Sequence, residues 1–442
     1  MDAVLLARLQ FAVTMFFHFI FPPVTIGLGL ILCITEWLGW RRNDEDYVRI
    51  SKLFAKLFGI TFAVGVASGV VMLFQFGTNW ANYSKFVVNV IGGPLAVEGF
   101  FAFFLESTFI GLYLFGRGRV SKRLHWFSLL MVAMGAATLS AFFIIAANSW
   151  LQTPAGYVIR EGRAELTSLF DAVFNPSTLQ RYFHTVTACF FCGAFIFAGV
   201  GAWHVLRNSD SRIGRKSLRL GVILGVFFIL IEIGPLGHEH ALQVARTQPE
   251  KFAAIEGIYE GRNGAGLVLF AIPTVNEGVP ELKAKIEIPG LASYLTHGDA
   301  NAYIPGLREF PREDWPPPQP VFISYRVMLG LGGFFLAVMG FAAFRLITGK
   351  LYHDRRLLKI LVWSVPLPVL ACQAGWMTAE VGRQPWIVYK LMRTSEGASP
   401  NVSAGEIGLS LAVFSLVYLV LFAVWLHLMI KKAKEVPAPE NA

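Results

Sequence analysis

The chain has 442 residues, of which 55% are hydrophobic and only 15% are charged, and its mean hydropathy is +0.55. A soluble protein of this length carries about a quarter charged residues, so the composition excludes an ordinary soluble domain. The formal net charge is +9. The basic residues lie in short loops between apolar runs, which is a signal of membrane topology and argues against a nucleic-acid-binding surface.

Several apolar segments are long enough to cross a bilayer. A helix needs about 20 residues to span the hydrocarbon core, and a helix satisfies all its backbone groups within one segment there. The predicted spans are 11–38, 54–75, 94–116, 125–148, 183–206, 218–236, 322–346, 357–380 and 406–430. The sequence therefore predicts an all-α integral membrane protein with about nine transmembrane helices in a bundle.

Lysine and arginine indicate the orientation of these spans. The basic loops are 39–53, 117–124, 207–219 and 347–356, and the C-terminal tail is also basic. The short loop at 76–93 carries only Lys85. Cytoplasmic loops are enriched in basic residues, so we expect these loops and the C-terminus in the cytoplasm and the N-terminus in the periplasm.

One polar segment is much longer than the other loops. It covers 237–321, on the predicted periplasmic side between spans six and seven, and loops of this length are usually functional or disordered. Apolar residues at 252–258 and 267–272 indicate that part of it folds against the bundle. The chain is thus divided into 1–236 with six spans, the loop 237–321, and 322–442 with three spans and a cytoplasmic tail.

Potential metal ligands lie in five of the predicted helices. The topology places all of them in the outer half of the bilayer; they are His18, Glu98, His184, Met328 and Glu380. Imidazole, thioether and carboxylate groups can all serve as axial ligands of haem iron. Each residue also has a structural interpretation, as an interfacial histidine, a packing methionine or a carboxylate paired with a nearby arginine.

Two carboxylates on span three suggest proton transfer. Glu98 and Glu106 are eight residues apart, or about 12 Å along a helix. Ionisable residues inside a membrane are costly and commonly form proton relays. Ser107, beside Glu106, and Ser140 on span four would extend a hydrated path between helices. A structural role for both carboxylates remains the alternative, and their spacing favours neither.

The cysteines indicate no redox or metal site. Cys189 and Cys192 form a C-x-x-C pattern, but it lies inside span five and is followed by Gly193, which excludes a c-type haem attachment motif. Cys33 and Cys372 are isolated in sequence. We interpret all four as small buried residues.

Several long motifs resemble one family. They are FQFGTNW at 74–80, GGPLAVEG at 92–99, AFFLESTF at 102–109, FHTV at 183–186, AAIE at 253–256, YRVM at 325–328 and GWMTAEVGRQPW at 375–386. In this order they resemble subunit I of the cytochrome bd-type quinol oxidases, and the similarity runs from Arg8 to the last span.

The resemblance implies three haems and their ligands. His184 and Met328 would be the axial ligands of a low-spin haem b. His18 and Glu380 would serve two high-spin haems, one of them at the oxygen site, and the assignment of each ligand to its haem stays open. Glu98 would lie beside the high-spin pair.

Further roles follow from the same resemblance. Glu106 would belong to a proton path from the cytoplasm, with Ser107 and Ser140. Lys251 and Glu256 match the positions at which the family oxidises quinol.

Three more residues would contact the haems. Arg326 and Arg383 would neutralise haem propionates or nearby carboxylates, and Trp376 would stand between haems.

The implied activity is that of an electrogenic quinol:O2 oxidoreductase, a terminal respiratory oxidase of the bacterial cytoplasmic (inner) membrane that builds a proton gradient without pumping. The resemblance implies a second large membrane subunit, subunit II, and allows a small single-span subunit. The outer loop is of the short form, and the stretches 261–273 and 381–394 resemble the cyanide-insensitive branch. The choice between haem d and haem b at the oxygen site, and between ubiquinol and menaquinol, stays open.

Other membrane proteins fit the residues less well. A haem–copper oxidase needs more intramembrane histidines than His18 and His184. A dihaem cytochrome b needs paired histidines on two helices, whereas only His184 and His204 share a span. A transporter would also use buried carboxylates and helix-breaking residues, but the chain has no visible inverted repeat.

Overall fold

The computed structural model describes residues 2–276 and 279–436, so the end of the third predicted segment, 437–442, lies outside the described residues. The α-helices in this part of the chain are α1 Ala3–His18, α2 Phe21–Arg42, α3 Glu45–Thr78, α4 Ala81–Val97, α5 Phe103–Phe115, α6 Lys122–Leu130, α7 Ala137–Gln152, α8 Leu169–Val173, α9 Thr178–Arg207, α10 Arg212–Ile231, α11 Gly237–Thr247, α12 Pro249–Glu256, α13 Leu291–His297, α14 Pro318–Ile347, α15 Arg355–Trp363, α16 Leu367–Val381, α17 Thr394–Gly397 and α18 Ala404–Ala433.

Short π-helical and 3-10 segments complete the helical structure. The π-helical segments Glu98–Ala102, Met131–Ala136 and Glu232–Leu236 join α4 to α5, α6 to α7 and α10 to α11. Such π-bulges are rare and often occur at functional sites. The 3-10 helices are Leu307–Glu309, Arg312–Asp314 and Leu351–His353.

The strands form four antiparallel pairs, all outside the long apolar helices. They are β1 Tyr157–Arg160 with β2 Arg163–Leu166, β3 Arg262–Asn263 with β6 Tyr303–Ile304, β4 Leu267–Asn276 with β5 Val279–Ile288, and β7 Trp386–Val388 with β8 Met392–Arg393.

Within the described residues, eight continuous or nearly continuous helices are long and apolar enough to cross a membrane, and α15 and α16, bent by 43°, form a ninth. The predicted all-α architecture of about nine spans is therefore confirmed. The first span consists of α1 and α2, and Pro22 and Pro23 lie in the first turn of α2. Proline is tolerated there because the first helical N–H groups have no partner within the helix.

Two predicted loop boundaries were wrong. The segment 76–93, predicted as a loop, is mostly helical, since α3 ends at Thr78 and α4 begins at Ala81. Span six, predicted to end at 236, continues through α11 to Thr247. Hydropathy detects the part of a helix that contacts lipid, whereas the backbone hydrogen bonds of a helix can continue through polar sequence beyond it.

Part of the long polar segment folds against the bundle, as its apolar residues predicted. Phe252, Ile255 and Ile258 pack in one buried cluster with Val321 at the start of α14. Gly257 ends α12 with a φ of +70°, the left-handed conformation in which glycine is favoured at a helix end. This turn brings the chain back toward α14.

Helix α9 lies at the centre of the bundle and is closely packed on α2. A Cβ atom added at Gly27 would lie 2.5 Å from the amide nitrogen of Gly193 and 2.8 Å from its Cα atom. Small residues of this kind let transmembrane helices approach through their backbones. The contact between α2 and α9 positions His184, which lies near the start of α9, relative to the neighbouring helices.

Candidate functional site

Helix α16 contacts the end of α1, which carries His18. The side-chain amide of Gln373 donates a hydrogen bond of 2.7 Å to the backbone carbonyl of Phe16. One turn further along α16, the ring of Trp376 lies 5.2 Å from the ring of Phe19, between centroids. His18 is therefore close to the face of α16 that carries Trp376.

The imidazole of His18 is oriented by α3. Its Nδ1 atom lies 2.9 Å from the hydroxyl oxygen of Ser68, which itself donates to the backbone carbonyl of Val64. A Cβ atom at Gly69 would lie 3.2 Å from Cε1 of the imidazole, so glycine makes room for the ring. With Nδ1 held by a hydroxyl, Nε2 is the nitrogen left to bind a metal.

The sulfur of Met328 faces α16. A Cβ atom at Gly375 would lie 2.8 Å from this sulfur, so α14 and α16 meet where Met328 has a glycine opposite it. Of the predicted axial ligands, Glu380 thus lies on α16 and Met328 beside it, whereas the imidazole of His18 contacts α3.

Glu380 is held near the end of α16 by four polar side chains. Its Oε2 atom accepts a hydrogen bond of 2.6 Å from Arg383. Its Oε1 atom accepts from Asn148 at 3.1 Å and from Gln152 at 3.4 Å, and Arg181 lies 3.9 Å away. The carboxylate is therefore ionically paired within the protein, and the pairing links α16 to α7 and α9.

His184 lies one turn beyond Arg181 on α9 and is paired with an acidic residue. Its Nδ1 atom lies 2.9 Å from Oε1 of Glu232, and its ring centroid lies 5.0 Å from that of His240. A carboxylate beside one ring nitrogen is a common way to orient a histidine whose other nitrogen binds a metal.

The partners of these ligands were not among the residues predicted from the sequence. Glu232 was visible as a carboxylate inside an apolar run, and Arg181 as an arginine three residues before His184. Asn148 and Gln152 gave no signal beyond their polarity near the end of an apolar run. Their roles depend on which helices are neighbours, which sequence patterns do not report.

The described residues contain no group of three or more His, Cys, Asp and Glu side chains that could hold a metal ion. The candidate ligands are instead distributed singly, and haem iron needs only one or two axial ligands from the protein.

Two buried arginines provide a further test of whether haem fits. Arg326 and Arg383 each form one short ion pair, with Glu256 at 2.7 Å and Glu380 at 2.6 Å. The Nε and Nη1 atoms of both arginines are buried without a hydrogen-bond partner. Buried donors are almost always satisfied, so these four groups are suited to an anionic ligand such as a haem propionate. The residues present therefore fit haem.

The predicted proton-path residues are only partly in contact. Ser140 donates a hydrogen bond of 2.7 Å to Oε1 of Glu98, which begins the π-helical segment halfway along the continuous helix Ala81–Phe115. Glu106 follows on α5 and is half-buried. The hydroxyl of Ser107 donates to the carbonyl of Phe104 in its own helix.

Lys251 connects the outer segment to the end of α16. The side chain is only 4% exposed, and its ammonium group donates to the backbone carbonyl of Ala379 at 3.0 Å and to the side chains of Gln152 and Gln248 at 3.1 and 3.2 Å. Burial, together with the nearby positive charge of Arg181, lowers the pKa of Lys251 to about 7. This lysine can therefore exchange a proton near neutral pH.

A cavity of about 750 Å³ opens beside α12, the helix that carries Lys251 and Glu256. Its lining includes Phe252 of α12 together with His238 and Arg246 of α11. A cavity of this size with mixed apolar and polar walls is suited to a small organic ligand.

The chain is similar to members of one family of known proteins. The sequence model of the family described as "Cytochrome bd terminal oxidase subunit I" matches residues 6–437. The chain is 36% identical to "Cytochrome bd ubiquinol oxidase subunit 1" of Bacillus subtilis (strain 168), over 100% of this chain and 96% of that protein. It is 33% identical to "Cytochrome bd-II ubiquinol oxidase subunit 1" of Escherichia coli (strain K12), over 99% and 97%.

A solved structure is also similar. The bd oxidase from Geobacillus thermodenitrificans matches with a TM-score of 0.91 and 32% identity, over 99% of both chains. The resemblance stated from the motifs is confirmed, and the chain belongs to the cytochrome bd terminal oxidase subunit I family.

Proposed function

We propose that this chain is the haem-carrying catalytic subunit of a terminal oxidase that oxidises membrane quinol and reduces O2 to water. Two relatives, matched over 96% and 97% of their lengths, are named ubiquinol oxidase subunits, and a third is named a putative menaquinol oxidase subunit. The observation that carries the proposal is the position of two candidate axial ligands, Met328 and Glu380, at α16, together with the unpaired buried donors of Arg326 and Arg383.

The proposed haem ligands are those that the family resemblance implies. His184 and Met328 would hold a low-spin haem b, and His18 and Glu380 would serve two high-spin haems, of which one is haem d or a further haem b. When bound, haem iron supplies electron transfer and oxygen reduction. The contacts of Ser68 with His18 and of Glu232 with His184 would orient the two imidazoles.

Trp376, Arg326 and Arg383 would support these haems. The unpaired donors of the two arginines would bind propionates. Trp376, whose ring lies near that of Phe19 at an interplanar angle of 37°, would lie between haems.

Quinol would be oxidised at the outer segment, 237–321. Lys251 and Glu256 lie on the short helix whose Pro249 and Phe252 line the 750 Å³ cavity. The hydrogen bond from Lys251 to the carbonyl of Ala379 places this helix directly against the residue that precedes Glu380. A quinol headgroup bound here would therefore be near the proposed haem region.

Protons for water formation would come from the opposite side. Glu106 would pass them toward Glu98, whose carboxylate is hydrogen-bonded by Ser140, and Ser107 would contribute by turning its hydroxyl away from its own helix. The protons from quinol oxidation leave on the outer side, and the protons for O2 reduction enter from the inner side. Charge is therefore separated across the membrane without a proton pump.

The basic loops support the proposed orientation, with the N-terminus in the periplasm and the C-terminus in the cytoplasm of a bacterial inner membrane. The family forms multi-subunit membrane complexes. We assign this chain a second large subunit, subunit II, as its partner. The assignment also allows a small single-span subunit.

A reduced-minus-oxidised optical spectrum with a pyridine haemochrome assay tests the proposal. The purified oxidase should contain three haems, and His184→Leu should lose the low-spin signal while the high-spin signals remain. His204→Gln is the matched control, because His204 is on the same helix but hydrogen-bonds the carbonyl of Ala433 near the other end. An absence of haem, or a His184 variant with an unchanged spectrum, would contradict the assignment.

A further inference from the structure

Glu250 is a buried acidic residue that none of the roles above uses. It lies on α12 beside Lys251 and is only 4% exposed. Its Oε1 atom accepts a hydrogen bond of 2.6 Å from the hydroxyl of Tyr389, a residue 139 positions away in sequence. Its Oε2 atom is buried without a hydrogen-bond partner among the described residues. One carboxylate oxygen is therefore free to bind a proton.

The pair lies between a buried and an exposed region. On the inner side, the charge of Glu250 acts on Lys251 and raises its pKa against the larger effect of burial. On the outer side, Tyr389 is half-buried in the turn between β7 and β8, where it interacts with the charge of Asp314 and is followed by the exposed Lys390. Lys251 and Glu250 are equally buried, at 4% exposed, and Tyr389 is half-buried, so the phenol is the most exposed of the three groups.

A purely structural role explains this pair poorly. The backbone amide of Tyr389 already donates to the carbonyl of Leu151 at 2.9 Å, which fastens the turn to the bundle without the phenol. A neutral side chain would accept the tyrosine hydrogen bond at lower cost, because burying a carboxylate is far more expensive than burying an amide. Buried ionisable groups with specific partners are candidates for proton chemistry.

We propose that Glu250 and Tyr389 form a proton-release relay that carries protons from the quinol-oxidising region at Lys251 to the outer surface. This inference deepens the proposed function and rests on the assignment of Lys251 to quinol oxidation. It adds two residues that act after the electrons have left the substrate.

The chemistry balances without a further reactant. Oxidation of one quinol yields quinone, two electrons and two protons, and the electrons pass to the oxidase's own haems. The two O–H bonds of the quinol break one after the other, and each proton adds in turn, directly or through neutral Lys251, to a carboxylate oxygen of Glu250. The hydrogen bond then reverses, so that the carboxylic acid donates to the phenol oxygen while the phenol releases its own proton to water. Burial and the Glu250 carboxylate raise the pKa of Tyr389, which keeps the hydroxyl protonated between these events.

The experiment compares variants of the purified, haem-loaded oxidase. Glu250→Gln keeps an oxygen acceptor for Tyr389 but cannot bind the proton, and Tyr389→Phe keeps the ring but removes the hydroxyl. The control is Glu309→Gln, because Glu309 accepts a hydrogen bond of 2.7 Å from Tyr303 in the same outer segment but lies at the surface. Haem content and melting temperature establish that each variant is folded.

We expect quinol-driven turnover of both relay variants to fall about tenfold or more, within the range of lost acid–base assistance. Proton release, followed with a pH-sensitive dye outside proteoliposomes, should slow by the same factor. The reaction of the fully reduced variants with O2 should keep its rate, and Glu309→Gln should match the wild type. The phenylalanine variant provides the test if the glutamine variant does not fold.

One result would overturn the relay. If Glu250→Gln and Tyr389→Phe turned over at the normal rate and only their melting temperatures were lower, the contact between the two residues would be structural. Lys251→Ala separates this failure from failure of the proposed quinol site. If Lys251→Ala is slow and the relay variants are normal, only the relay is wrong; if Lys251→Ala is also normal, the quinol site itself is wrong.

Discussion

Replacing Gly193 with alanine should test how the bundle positions His184. The added Cβ atom would lie 2.7 Å from the Cα atom of Gly27 and closer still to the carbonyl group of that residue. Both neighbours are backbone atoms of α2, so no side chain can rotate away. A carbon–oxygen contact normally lies at about 3.3 Å or more, so α2 and α9 would have to separate by roughly 1 Å.

The expected cost follows from this displacement. Overpacking a closely packed interior usually costs about 1–3 kcal/mol, and here the contact is between two main chains, which favours the upper part of that range. His184 lies nine residues before Gly193 on α9, or about 13.5 Å along the helix axis. A shift of the whole helix would therefore also move the imidazole relative to Glu232 and α14.

The assay combines a thermal melt in detergent with the reduced-minus-oxidised spectrum. Gly193→Ala should lower the melting temperature and weaken or shift the low-spin signal. Gly340→Ala is the matched control, since a Cβ atom there meets nothing within 4 Å, and alanine is favoured over glycine in a helix by about 0.5–1 kcal/mol. If Gly193→Ala kept the melting temperature and spectrum of the wild type, the close contact between α2 and α9 would be refuted.

Three other substitutions test separate parts of the site. Glu106→Gln should slow oxygen consumption while haem content stays largely intact; unchanged consumption would reject the proton path. Glu256→Ala should weaken quinol oxidation and leave O2 binding by the reduced enzyme intact. It should also destabilise the protein by about 3–5 kcal/mol, because the charge of Arg326 loses its partner. A normal steady-state rate together with a normal melting temperature would contradict this prediction. Lys251→Met should remove a pH dependence of stability. The pKa of Lys251 is about 7 in the folded protein and 10.5 ordinarily, so the unfolded chain binds more protons between these two pH values. The stability of the wild type therefore rises with pH across this window, by up to about 1.4 kcal/mol per pH unit. Melting curves from pH 7 to 10 check this, and equal slopes for variant and wild type would contradict it.

The number of spans was predictable because the bilayer imposes a minimum length on every apolar helix. The ends of the helices were not. Asn82, Ser84 and Lys85 make the start of α4 polar enough to be interpreted as a loop, yet they belong to a helix that begins at Ala81. Outside the hydrocarbon, water can satisfy either a helix or a loop, so hydropathy no longer distinguishes them.

Single ionisable residues were also predictable, because a charge inside an apolar segment is costly and needs a reason. Their partners were not, because a partner is defined by which helices pack together. Glu232 is 48 residues from His184, and Gln152 is 228 residues from Glu380. No local pattern connects such positions; the connection exists only once α7, α9, α10 and α16 have been assembled.

The coupling between the outer segment and the haem region depends most on this assembly. Lys251 reaches the carbonyl of Ala379, immediately before Glu380, while its neighbour Glu250 accepts a hydrogen bond from Tyr389, a residue that follows α16. Two adjacent residues of one short helix therefore make separate contacts, one with the end of α16 beside the proposed haem ligand and one with the half-buried turn between β7 and β8. Since electrons and protons must leave a quinol in different directions, a helix with these two contacts is placed to separate them.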